Sequence, residues 1–75
     1  MTYIGIDISK DSFVVAYPRK SGYTTKTFMN DTKGVRSFIT SLPEDCHCVM
    51  EATGNYSMLL LYLLQQAGIP TSMEN

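Results

Sequence analysis

Apolar and polar residues alternate at the start of the chain in the pattern of a half-buried β-strand. Within residues 3–8, three isoleucines fall on one face, and the intervening residues, which end in Asp7, fall on the other. A polar link over residues 9–12 leads to the apolar run 13–17, so the two runs predict a β-hairpin. After a second turn, residues 23–29 are rich in threonine and aromatic side chains and predict a third strand.

The period then changes from that of a strand to that of a helix. Residues 30–32 offer helix-capping side chains, and Pro43 ends the helix that follows them. Between them, apolar residues recur at the spacing of one helix face. These residues are Val35, Phe38, Ile39 and Leu42.

The second half of the chain repeats the order of strand and helix. Residues 46–50 form a short apolar run that predicts a fourth strand. Residues 53–55 form a turn with capping side chains, and a second helix is predicted over residues 56–67, closed by Gly68. A fifth strand is predicted to start after that glycine.

The predicted order is β-β-β-α-β-α, with a further strand at the end. Three consecutive strands form an antiparallel meander, and the helix after them allows the fourth strand to lie parallel beside the first. The predicted fold is a mixed α/β sheet with helices packed on it, in one domain that spans residues 1–75.

The second helix has no polar stripe. Leucines, tyrosines and a methionine occupy every position from Tyr56 to Leu64 except Ser57, and a helix that is apolar on all sides requires cover on all sides. One small sheet cannot supply that cover. We therefore expect the chain to form a homo-oligomer, in the simplest case a dimer, through residues 55–67.

Length and composition restrict the class of protein. Seventy-five residues allow one small domain or part of one, with a thin core, and 44% hydrophobic residues argue against disorder. No apolar run approaches the roughly 18 residues needed to span a bilayer. The first residues lack the basic segment of a signal peptide, so no membrane association and a cytoplasmic location are expected.

The net charge of −1 conceals an asymmetry along the chain. All six Lys and Arg lie within residues 1–36, and residues 37–75 contain only acidic charges. A basic front half is suited to contact with phosphate groups, although solvated surface charge is the alternative interpretation. The candidates for nucleic-acid contact are Lys10, Arg19, Lys20, Lys33 and Arg36.

The sequence Cys46-His47-Cys48 invites a metal interpretation. The two cysteines are too close in sequence for the usual zinc-knuckle spacing, and no second pair of ligands exists. Buried thiols on one face of a strand are the preferred interpretation.

Two carboxylates are the candidates for chemistry. Asp7 lies near the end of the first strand, and Glu51 lies at the end of the fourth. If those strands are parallel neighbours, both carboxylates emerge at the same edge of the sheet, where open α/β sheets bind their ligands. A divalent cation would relieve their repulsion, and carboxylate oxygens suit Mg²⁺ or Mn²⁺. A capping or turn role for each residue is the alternative.

Two segments carry a resemblance to a known family. Residues 3–11 (YIGIDISKD) together with residues 50–56 (MEATGNY) resemble the DEDD transposases of the insertion sequence 110 type, which include Piv-like invertases. The segment 28–31 and Gly34 also fit the spacing of that family. The resemblance implies an RNase H-like fold similar to the Holliday-junction resolvase RuvC.

The resemblance also implies roles for individual residues. Asp7 and Glu51 match the first two acidic metal-binding positions of the family, and Lys10 lies beside them. Thr53 and Gly54 would shape the turn before the second helix, and Tyr56 would be structural. DNA is the implied substrate, and a guide RNA is an implied partner.

The family pattern continues beyond what this sequence contains. The family's other two aspartates lie further along the chain, as does a second domain with a serine nucleophile. Only Glu74 is acidic after Glu51. We therefore expect an N-terminal fragment of a DNA transposase or recombinase whose metal site is incomplete and which is inactive alone.

Two alternatives come from other classes of protein. An actin-like ATPase or sugar kinase also begins with a strand that ends in an acidic residue, but those folds use a glycine-rich phosphate turn, and residues 9–12 contain no glycine. A non-enzymatic oligomerising module is favoured only by the apolar second helix.

Overall fold

A computed structural model describes residues 1–51 and 54–74 of the chain. Five strands and two helices follow in the predicted order. They are β1 (Thr2–Ile8), β2 (Ser12–Pro18), β3 (Tyr23–Met29), α1 (Thr32–Thr40), β4 (Cys46–Glu51), α2 (Met58–Gln66) and β5 (Thr71–Glu74).

The strands form one mixed sheet in the spatial order β3-β2-β1-β4-β5. β1 and β2 pair antiparallel, as do β2 and β3, because each pair is joined by a tight turn. β4 pairs parallel with β1, and β5 pairs parallel with β4, because a helix carries the chain back across the sheet between them. The predicted mixed α/β sheet is confirmed, and its arrangement is consistent with an incomplete RNase H-like fold.

Both helices pack on the same face of the sheet. Alternate strand residues point toward them and form one apolar core with the inner sides of the helices. Three phenylalanines at its centre, Phe13, Phe28 and Phe38, have ring centroids 5.4–5.5 Å apart. In the part of the chain that the structure describes, no element packs on the opposite face, which is called the open face below.

Capping and close packing place α1 on the sheet. The side chain of Asp31 accepts a hydrogen bond from the Gly34 backbone N–H at 2.7 Å, which confirms the predicted N-cap. Gly34 lies against the end of β3, where an added Cβ would overlap the carbonyl oxygen of Met29. The helix therefore starts immediately after β3, with no room for a larger residue at position 34.

The second helix is shorter than predicted and is covered more completely by its own chain. The helix begins at Met58, so its N-cap is Ser57, and the Ser57 side chain makes no capping hydrogen bond. The prediction of a cap within residues 53–55 is therefore wrong for the described residues. Gly68 ends the helix with a positive φ of 73°, as predicted. Thr53 lies outside the described residues.

Most leucines of α2 pack into the core of the same chain. Leu60, Leu63 and Leu64 are buried in the core cluster. Leu59 and Leu61 are half-buried, so the expectation that the leucines point in too many directions for the chain to cover is wrong. The apolar side chains that α2 leaves exposed are those of Met58 and Tyr62.

Neither described helix is long enough and apolar enough to cross a lipid bilayer.

Candidate functional site

The two predicted carboxylates lie on neighbouring parallel strands at the same end of the sheet. The register pairs Ile6 of β1 with Met50 of β4, so the next residues, Asp7 and Glu51, follow side by side. Both side chains are exposed, and both line one cleft of about 310 Å³. The juxtaposition expected from their strand-end positions is therefore present.

The alternation of each strand determines which way these carboxylates face. Residues 4, 6 and 8 of β1 and residues 46, 48 and 50 of β4 are buried beneath the helices. Because successive side chains of a strand point to opposite faces, Asp7 and Glu51 must point to the open face. The same apolar pattern that builds the core thus places two charges where solvent and ligands reach them.

The floor of this cleft is made of small side chains. Gly5 of β1 pairs with Ala16 of β2, and a Cβ added at Gly5 would lie 3.9 Å from the Cβ of Ala16, which is ordinary contact. Val14 and Val49 also line the cleft. Because these side chains are small, the carboxylates beside them are accessible to a large ligand.

A third carboxylate lines the same cleft. Glu74 of β5 pairs with Glu51 in the parallel register and falls on the same face of the sheet. No role was predicted for Glu74 from the sequence, although its place in the predicted fifth strand was the available signal. β4 separates Glu74 from Asp7, so the three carboxylates form a row across the sheet.

The donor chemistry suits a hard divalent cation, but the described residues do not complete a site for one. Carboxylate oxygens are the ligands that Mg²⁺ and Mn²⁺ prefer, and Asp7 and Glu51 each supply one carboxylate group. Within residues 1–51 and 54–74, no group of three or more His, Cys, Asp or Glu side chains is placed to hold a metal ion. These two residues alone therefore form a partial coordination set.

Asn30 joins the segments that surround this end of the sheet. Its Nδ2 donates to the carbonyl oxygens of Ser9 at 3.2 Å, Lys10 at 3.4 Å and Tyr56 at 2.9 Å. The turn after β1 is thereby tied to the segment that precedes α2. From the sequence, Asn30 was predicted to be a helix cap and part of the segment that fits the family spacing. Its contacts with segments so distant in sequence leave no local pattern and were not predicted.

The turn residues of the family motif are only partly described. Gly54 has a positive φ of 63°, which supports its predicted role in shaping the turn. The Tyr56 side chain is exposed, while its backbone carbonyl is held by Asn30.

The five basic candidates do not form one surface. Lys10 in the turn after β1 and Lys33 in the first turn of α1 lie at the carboxylate end of the sheet. Arg19 and Lys20 lie in the turn between β2 and β3, at the opposite end. Arg36 lines a groove between α1 and α2.

The Cys-His-Cys segment divides between the two faces of the sheet. Cys46 and Cys48 are free, buried thiols, as preferred from the sequence. Burial, with a smaller contribution from Cys46, raises the pKa of Cys48 to about 12. His47 points to the open face, where its Nε2 hydrogen-bonds to the Ser72 hydroxyl at 2.6 Å. The three side chains therefore do not converge on one point.

Comparison with known families gives one match. A model of the DEDD transposases of the insertion sequence 110 type, described as "Transposase", matches residues 4–75. No curated protein matches the chain.

Proposed function

The chain belongs to the DEDD transposase family of the insertion sequence 110 type, and we propose that it forms the metal-binding part of a RuvC-like catalytic domain that acts on DNA. The observation that carries this proposal is the placement of Asp7 and Glu51 side by side at the end of two parallel strands. They are also the first two acidic positions of the family motif in this sequence.

Asp7 and Glu51 would hold a Mg²⁺ or Mn²⁺ ion between them. Such an ion supplies Lewis-acid activation of phosphodiester chemistry. The two side chains contribute negative charge at positions fixed by the sheet register. The small residues beside them, Gly5 and Ala16, leave this charge accessible. A partial set of ligands fits a domain in which further ligands come from another part of the protein.

The family implies DNA as the partner. Recombination at defined DNA sites, a guide RNA and a cytoplasmic location are further parts of this proposal, and they rest on the family resemblance alone. Lys10 and Lys33, at the carboxylate end, would contact phosphate groups close to the metal.

The turn after β1 argues against nucleotide binding of the actin or sugar-kinase kind. The backbone N–H of Ser9 donates to the carbonyl oxygen of Ser12 at 2.8 Å, and the Ser9 hydroxyl donates to the same oxygen at 2.9 Å. The turn is thus closed by its own hydrogen bonds and offers no glycine-rich cradle for phosphate. The match to a transposase family favours the same conclusion.

Mn²⁺ titration followed by NMR tests the metal proposal directly. We expect the paramagnetic ion to broaden the backbone amide signals of residues 6–8 and 50–51 first. Asp7→Asn and Glu51→Gln should each weaken Mn²⁺ binding by roughly tenfold or more, since loss of even supporting groups costs 10–100-fold.

Asp11→Asn is the matched control. Asp11 is exposed at the same end of the sheet, and its replacement removes the same charge without touching the cleft. Broadening that is unchanged by Asp7→Asn, or lost equally with Asp11→Asn, would refute the two-ligand site. It would favour the non-enzymatic oligomerising module instead.

A further inference from the structure

A second cleft lies on the helix-bearing side of the sheet, at the end opposite the carboxylates. Its volume is about 420 Å³, and it is bounded by the ends of β2 and β3 and by the segment that follows α1. We call it the basal cleft. Arg19 and Lys26 line it together with the hydroxyl-bearing residues Tyr17, Thr24 and Ser41.

The charge of the basal cleft is entirely positive. Two of the six basic residues of the chain line it, and its lining residues include no Asp or Glu. Asp45, which follows nearby in the chain, forms an ion pair with the N-terminal amine of Met1 at 3.5 Å. Neither Arg19 nor Lys26 forms an ion pair with any described residue, so both positive charges are uncompensated.

Neutral groups hold the guanidinium of Arg19 in place. Its Nε donates to the Thr24 hydroxyl at 3.1 Å, and its Nη1 donates to the Pro18 carbonyl oxygen at 3.2 Å. It also lies 5.8 Å from the centre of the Tyr17 ring. These contacts use two of the five donors of the guanidinium, so the second hydrogen of Nη1 and both hydrogens of Nη2 are available to a ligand and already oriented.

Lys26 is placed in a similar way. Its ammonium nitrogen lies 5.2 Å from the centre of the Phe28 ring, again without a carboxylate partner. Two oriented cations beside hydroxyl groups form a site for phosphate oxygens, because charge-assisted hydrogen bonds favour such acceptors.

We infer that the basal cleft binds the phosphodiester backbone of DNA at a contact separate from the carboxylate cleft. The inference rests on the proposed function only in taking DNA as the ligand. The basal cleft opens on the helix-bearing side of the sheet, whereas the carboxylate cleft lies on the open face, so the two clefts are separate surfaces.

Fluorescence anisotropy with a duplex of about 20 base pairs tests this contact, with the salt concentration varied. Arg19→Gln combined with Lys26→Gln should weaken binding by about tenfold at low salt. It should also lower the slope of log affinity against log salt by about 1.8, since each phosphate contact contributes ~0.9. The double variant Arg19→Lys with Lys26→Arg keeps both charges and should retain most of the slope. Circular dichroism melting curves check that both double variants fold as the unaltered protein does.

Three outcomes overturn the inference. The first is a salt slope that the Gln variant leaves unchanged, and the second is tighter binding of an RNA duplex of the same sequence with the same loss in the Gln variant. The third is displacement by inorganic phosphate without any binding of DNA. Mn²⁺ broadening near Asp7 and Glu51 is measured on the same variants without DNA, so failure of the metal proposal is distinguished from failure of the basal cleft.

Discussion

At the residue scale, side chains in the described structure are fixed by a small number of close contacts. Gly34 is required because the carbonyl oxygen of Met29 occupies the space of a side chain. Asn30 holds three carbonyl oxygens with one amide nitrogen, and Cys48 is fully buried beneath the helices. Each contact opposes a different substitution, which allows each to be tested separately.

Replacement of Gly34 by alanine should destabilise the protein. Helix propensity alone predicts a gain of about 1 kcal/mol for Gly→Ala within a helix. The overlap with the Met29 carbonyl is with backbone, which cannot move aside as a side chain can, and overpacking typically costs about 1–3 kcal/mol. We expect a net loss of about 1–2 kcal/mol in the free energy of unfolding, measured by urea denaturation. Ser37→Ala, at an exposed position of the same helix, is the control, and a more stable Gly34→Ala protein would contradict the expected packing.

The buried thiol of Cys48 should make stability depend on alkaline pH. Burial raises its pKa in the folded state from 9.0 to about 12, so the folded state retains the proton when the unfolded state has lost it. The stabilisation is complete below about pH 9 and is lost as the pH rises toward about 12. Urea midpoints measured under reducing conditions should fall less steeply with pH in Cys48→Ala than in the unaltered protein. Parallel curves for the two proteins would show that Cys48 makes no such contribution.

At the element scale, strand alternation and helix period were sufficient to predict the order of elements and the parallel pairing of β1 with β4. The Asp7–Glu51 pair follows from these two features, so it was predictable as well. The start of α2 was not, because the carbonyl oxygen of Tyr56 just before it is held by Asn30 from another segment. The burial of its leucines depends on how closely the helix packs on the sheet, and the hydrophobic periodicity of the helix does not predict that distance.

The exposed apolar side chains of α2 should mediate self-association. Met58 and Tyr62 are 69% and 58% exposed, one turn apart on the helix. Residues 52–73 carry no charge that would oppose the approach of a second copy. Sedimentation velocity at micromolar concentration should show a dimer, and Met58→Glu with Tyr62→Glu should yield a monomer. An unaltered chain that sediments at its monomer mass of 8.4 kDa would contradict this expectation.

At the scale of the whole molecule, the charge asymmetry along the chain becomes an asymmetry across the sheet. Residues 1–36, with all the Lys and Arg, build β1, β2 and β3 and the start of α1. β4, α2 and β5 contain only acidic charges, and the sheet order places them on the other side of β1. One side of the molecule therefore carries all the Lys and Arg, and the other side carries Glu51 and Glu74 without any basic residue.

This arrangement could be predicted from the sequence only in part. The separation of charge was visible along the chain. Which basic residues lie at which end of the sheet can be predicted only when the directions of the strands are known. Glu74 enters the cleft through the register of β5 on β4, which four residues cannot specify by their own pattern.

The chain of 75 residues should not cleave DNA by itself. Two neighbouring carboxylates hold Mg²⁺ weakly, because this ion requires fixed octahedral geometry as well as charge. We expect no Mg²⁺- or Mn²⁺-dependent nicking of supercoiled plasmid beyond that seen with Asp7→Asn. Metal-dependent nicking that Asp7→Asn abolishes would show that these residues suffice for catalysis.

The parallel pairing of β1 with β4 also sets an order of events during protein synthesis. β1, β2 and β3 can pair as they leave the ribosome, because only short turns connect them. The other edge of β1 has no partner until residues 46–51 have been made and α1 has folded. A nascent chain that stalls before β4 therefore presents an unpaired row of backbone N–H and C=O groups beside the isoleucines of β1, an edge on which other chains can aggregate.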